Sequence, residues 1–168
     1  MNLMFFLPTQ SQNKNNYLGE ITLLLLRLWL AQEFIYAAIR KLSGGVIAPD
    51  WFAGLEFPWP FNQFTSNFNW SLVSLTELIV GIMLLVGLFT RLSSVVLLIV
   101  TVVAIYSVHF DLGWMGWDQI ETDDGQGFKV PLMIGLMLIT LLGMGAGKIS
   151  IDYLLSLRKT NSDSTASS

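Results

Sequence analysis

Five residues in this chain have the type and placement to do chemistry: Arg27, Glu33, Lys41, Glu77 and His109. A carboxylate or an imidazole can take or give a proton when its surroundings tune it for that task. Arg27 and Lys41 can set the local charge around such groups. All five lie in, or at the end of, stretches apolar enough to be membrane spans. Ionisable groups are costly there, roughly 2.5–3.5 kcal/mol each at a helix centre on insertion scales. Their retention is a functional signal. The competing explanation is internal salt bridges and hydrogen bonds that fix helix packing.

Four elements must position these residues. A helix needs about 20 residues to cross the hydrocarbon, and four apolar stretches approach that length. They run from Leu18 to Leu42, Ser71 to Phe89, Leu92 to His109, and Phe128 to Met144. The second and third are joined by almost nothing, with Thr90 and Arg91 at the turn, which predicts a tight antiparallel hairpin. The expectation is an all-α fold, a four-helix transmembrane bundle over residues 18–155 with two long aromatic loops outside the cytoplasm. Residues 1–17 read as a polar tail and 156–168 as a disordered one.

Composition agrees with a membrane protein. Hydrophobic residues make up 53% of the 168 and charged residues 12%, about half the usual charged share. Mean hydropathy is +0.59. A net charge of −3 with no basic block argues against nucleic acid. The chain has no cysteine and one histidine. No disulfide, iron–sulfur cluster or zinc–thiolate site can be built from it, no haem site is derivable, and no metal ligand set is expected.

Charge sets an orientation. The side holding both termini and the short turn carries Lys14, Arg91, Lys148, Arg158 and Lys159. The long loops carry Asp50, Glu56, Asp111, Asp118, Glu121, Asp123 and Asp124. Positive-inside bias therefore places both termini in the cytoplasm, although Arg40, Lys41 and Lys129 lie near the outer end. The first loop is rich in aromatics, Trp51 to Trp70, and the second holds Trp114 and Trp117. These form either an interfacial belt or a cap over a pocket. In a bundle of this topology, Glu33, Lys41, Glu77 and His109 could meet in the outer half. Arg27, deeper, could meet carbonyls, or Gln32 or Thr side chains of a neighbour.

The motifs LLLLRLWLAQEFIYAAIRKL, ELIVGIMLLVGLFTRLSSVVLL, SVH and GAGKISID, in that order, resemble those of the DoxX-like membrane proteins across about residues 20–155. Carried over by that resemblance, Arg27, Lys41, Glu77, Arg91 and His109 fall on characteristic polar positions, and Ser150 and Asp152 on the closing motif. Glu33 does not carry over. FPWPFN and the acidic second loop resemble the HvfX branch, encoded beside copper-binding modified peptides and their maturation enzymes. The resemblance implies a multi-pass protein of the bacterial inner membrane in a redox- or metal-stress setting. A buried polar site would bind a quinone or similar small molecule, with Glu77 and His109 as proton partners and Arg27, Glu33, Lys41 and Arg91 as binding candidates. If the chain is catalytic, it acts as a quinone-linked oxidoreductase subunit with electrons from a partner. The alternative is a non-enzymatic membrane partner in maturation or export of such a peptide. A carrier role would require a homo-oligomer, since no internal repeat is present.

Overall fold

The computed structural model describes residues 16–166. Six helices follow in order: α1 Asn16–Ser43, α2 Asp50–Ala53, α3 Ser66–Val86, α4 Thr90–Val108, α5 Lys129–Met144 and α6 Ile151–Ala166. The mostly helical expectation holds with one addition. Two short antiparallel strands, β1 Glu121–Thr122 and β2 Gly125–Gln126, pair within the acidic second loop. Helices α1, α3 and α4 are long and apolar enough to cross a membrane, whereas α5 has 16 residues and is shorter.

Helix α1 packs along α3, and α4 along α5. Both pairs are antiparallel, because contacts advance on one helix as they retreat on the other. A Cβ on Gly81 would touch Phe34 and Ile35, and one on Gly87 would touch Arg27. On the other pair, Arg91 donates to the Gly143 carbonyl at 3.3 Å, and Leu98 lies against Gly135. All four helices feed one apolar core: Leu23, Leu30, Ala31 and Phe34 from α1, Leu84 from α3, Leu97 from α4, and Leu138 and Leu141 from α5.

The second span is displaced from its sequence reading for reasons of capping. Helix α3 starts five residues early, where the Thr65 side chain accepts from the Phe68 N–H. It stops at Gly87, which takes φ 70°, with the Gly87 N–H on Leu84 and the Leu88 N–H on Met83. The turn is therefore Gly87–Phe89, and Thr90 already begins α4.

At the ends, the 1–17 tail lies outside the described residues except that Asn16 and Tyr17 open α1. Of the 156–168 tail, residues up to Ala166 are described, and they lie in α6. Helix α6 continues to Ala166, started by the Ser150 hydroxyl accepting the Tyr153 N–H at 3.2 Å.

The loops after α1 and α4 are each held by aromatic packing. Trp70 meets Phe52 edge-on at 4.9 Å and Trp51 at 5.9 Å, and Phe52 meets Phe57 at 5.1 Å. Phe110 packs on Trp114 at 5.6 Å and Phe128 at 5.7 Å.

Gly87 supplies the most specific stability test. Its left-handed φ disfavours any other residue by about 1–2 kcal/mol, and a Cβ there would lie 2.6 Å from Ser150 Cβ. Gly87→Ala is expected to lower the thermal midpoint in detergent. Gly143→Ala, where a Cβ meets nothing within 4 Å, should leave it unchanged. Equal midpoints for the two variants would refute this account of the turn.

Candidate functional site

The polar residues separate into two groups at opposite ends of the helices. At the short-turn end, Arg27 is 2% exposed. Its Nη1 donates to the Ala146 carbonyl at 2.8 Å and its Nη2 to the Ile149 carbonyl at 2.7 Å. The Asp152 carboxylate accepts from the Phe89 N–H at 2.7 Å and the Thr90 N–H at 2.9 Å, while the Asp152 N–H donates to Gly87. The Glu20 carboxylate accepts from the Lys148 N–H. Together these contacts clasp α1, the α3–α4 turn and the α5–α6 link. Asp152 also satisfies two N–H groups at the start of α4, where negative charge is favoured. Most of the polar capacity here is spent on backbone, so the clasp holds geometry.

At the long-loop end, helices α3 and α4 flank a cavity of about 430 Å³. Its walls are mostly apolar: Leu72 and Val73 from α3, and Val96, Ile99, Val100 and Val103 from α4. Trp51, Phe52, Phe57 and Phe61 lie at its loop end, and Asn69, Ser107, His109, Lys41 and Glu77 also line it. The first loop is anchored by side chains near the start of α3. Asn69 Nδ2 donates to the Phe61 carbonyl at 2.9 Å, and Trp70 Nε1 to the Gly45 carbonyl at 3.1 Å.

Glu77 is 6% exposed and pairs with Lys41 Nζ at 2.5 Å. The pair links α1 to α3 and places both charges on the cavity wall. Lys41 therefore turns inward instead of reaching for solvent. Its neighbour Arg40 lies over the Tyr36 ring, 5.8 Å from the centroid.

Three residues that line this cavity each carry a buried polar atom with no hydrogen-bond partner among the described residues: Asn69 Oδ1, Ser107 Oγ and His109 Nδ1. Such atoms are uncommon in folded proteins and costly to leave unmet, about 1–3 kcal/mol each. His109 follows the last turn of α4, and its backbone N–H closes the helix on Ala104 and Ile105. Burial pushes its imidazole below the ordinary value, with Asp111 pulling weakly the other way. A neutral imidazole offers one donor and one acceptor. The lining suits a molecule with an apolar body and a polar group at one end.

Of the residues expected to meet, Lys41, Glu77 and His109 do so. Arg27 meets carbonyls, at the other end. Arg91 also lies at that end, on the Gly143 carbonyl. Glu33 is half-buried on α1, does not line the cavity, and pairs with none of the described residues. Asn69 and Ser107 were not singled out from sequence. Their signal is positional: Val96, Val100, Val103 and Ser107 recur at helical spacing on one face of α4, and Asn69 is a polar residue inside an aromatic run.

The Lys41–Glu77 pair generates a stability prediction. Lys41→Met leaves Glu77 buried and unpaired. It should cost about 3 kcal/mol, the low end of the range for breaking a buried pair, because the Lys41 side chain is 22% exposed. Adding Glu77→Gln should recover much of that loss. Thermal unfolding of the two single variants and the double variant in lipid nanodiscs reads this directly. Additive losses would mean the pair is not coupled.

Comparison with known proteins fits this arrangement. The chain is 37% identical over 137 residues to an uncharacterized protein of Haemophilus influenzae, covering 80% of this chain and 83% of that protein. No solved structure matches it. Residues 22–110, which hold most of α1, the aromatic loop, α3, α4 and His109, match DoxX, and the chain belongs to the DoxX family of membrane proteins.

Proposed function

We propose that this protein is a four-helix bundle of the bacterial inner membrane whose cavity binds a quinone or similar carbonyl-bearing small molecule, in a redox- or metal-stress setting. The observation that carries the reading is the set of unpartnered atoms, Asn69 Oδ1, Ser107 Oγ and His109 Nδ1, on a largely apolar cavity. Helix α5 completes the bundle. Its 16 residues span about 24 Å, short of the roughly 30 Å hydrocarbon core, and local thinning accommodates the difference. Both termini and the clasp face the cytoplasm, and the aromatic loops cap the outer end.

A quinone in the cavity is an acceptor of two electrons and two protons. This chain's residues bind it, exclude water and hold protons. The Ser107 hydroxyl and the imidazole can donate to carbonyl oxygens, and the Glu77–Lys41 pair fixes charge on the wall. Electrons come from a partner redox protein. A second reading, as a membrane partner in copper-binding peptide maturation of the HvfX type, is favoured by the exposed side chains of Trp114, Met115 and Trp117. These would form a docking face.

Native mass spectrometry of the purified protein, followed by quinone extraction, separates the two. The expected result is about one quinone per chain, lost in folded Glu77→Gln and His109→Ala. No bound molecule, together with full cellular activity of both variants, would remove the quinone reading and favour docking.

A further inference from the structure

The cavity has a direction, and the direction points to how it is filled. On α4 its wall runs along Val96, Val100, Val103 and Ser107, a stripe of about 16 Å at 1.5 Å per residue. That stripe is apolar until Ser107, and the other unpartnered atoms, on Asn69 and His109, cluster at the same loop end. The opposite end of the stripe lies toward the middle of the span.

Three wall residues are also exposed: Trp51 at the loop end, 57% exposed, and two on the helices. Leu72 on α3 is 40% exposed and Ile99 on α4 is 51% exposed. Ile99 lies midway along Thr90–Val108. A side chain that both lines the cavity and faces outward at mid-span marks an opening onto hydrocarbon. At the loop end the exposed Trp51 is packed edge-on against Phe52 and Trp70, and Asn69 ties Phe61 in place.

The helix arrangement accounts for such an opening. Helices α3 and α4 are pinned together at Gly87–Phe89 by Asp152 and Arg27. Beyond that point each packs mainly on another partner, α3 on α1 and α4 on α5. Away from the turn, the cavity lies between the two helices.

We infer that the ligand enters sideways from the bilayer between Leu72 and Ile99. It is a long-tailed amphiphile whose polar head lies against Asn69, Ser107 and His109 while its tail leaves through the same opening. This rests on the small-molecule reading above and adds the route, the tail and the orientation. The cavity volume, about 430 Å³, is near the small end for ligand pockets. It accommodates a head and the first part of a chain, with the rest remaining in lipid.

The test uses the full chain in lipid nanodiscs with decylubiquinone as the probe. Association is followed by tryptophan quenching, and the signal from the cavity is isolated by comparison with Trp51→Phe. Leu72→Phe with Ile99→Phe narrows the opening and should slow association about tenfold. Leu75→Phe with Ile79→Phe adds the same bulk to exposed α3 positions off the cavity and should leave the rate unchanged. Should the narrowed variant fail to fold, Leu72→Ala with Ile99→Ala widens the opening and should speed association. Binding at the wild-type rate in the folded narrowed or widened variant overturns the sideways route and leaves the small-molecule reading standing. Equal slowing in the control pair also overturns the route. Absence of any Trp51-dependent binding in the wild type overturns the small-molecule reading, and the route with it.

Discussion

Hydrocarbon offers no hydrogen bonds, so every polar group carried into the bilayer must find its partner inside the protein. The rest of this structure depends on how that constraint is met. Arg27 meets it with two backbone carbonyls, Glu77 with Lys41, and Asp152 with two N–H groups at the head of α4. Each solution joins elements far apart in the sequence. The α1–α3 pair and the short-turn end are therefore held by polar contacts as well as by the leucine-rich core.

The same constraint makes the exceptions informative. At the clasp, Arg27 Nε and Thr90 Oγ1 are left over, at separate points among groups otherwise committed to backbone. At the cavity, three residues from separate positions line one space, and each leaves a buried polar atom over. A purely structural network would be expected to satisfy itself, since a partly satisfied one is less stable than an apolar core. The two ends of the molecule thus do different things. One closes the hairpin, and the other leaves it parted with polar groups along an apolar wall.

Much of the architecture was legible because apolar runs are long and charges within them few. The α4 and α5 boundaries fall within two residues of the sequence reading, and Lys41, Glu77 and His109 line one cavity. The departures have local causes. Helix α3 begins inside the aromatic run because Thr65 caps it, a contact that hydropathy does not register. It ends at Gly87 because a left-handed residue there is also where Ser150 and Arg27 approach. Arg27 had carbonyls, Gln32 and Thr side chains as candidate partners, and it meets the Ala146 and Ile149 carbonyls; nothing in sequence placed these in the GAGKIS segment, more than a hundred residues away. Glu33 looked equivalent to Glu77 by type and depth, and only packing separates a half-buried carboxylate on the flank of α1 from one on the cavity wall. Asn69 and Ser107 were hidden by their chemistry, since one asparagine and one serine are ordinary near helix ends. The small β1–β2 hairpin had no apolar alternation to announce it.

The central claim is that α3 and α4 part around a molecule held at Asn69, Ser107 and His109. A cryo-electron microscopy structure of the protein in nanodiscs made from its native lipids tests it most directly. The account predicts an elongated feature between the two helices, its polar end within hydrogen-bonding distance of those three side chains. It would be contradicted if α4 were found closed against Glu77 and Leu72, with the three polar atoms satisfied by the protein itself and no space between the helices.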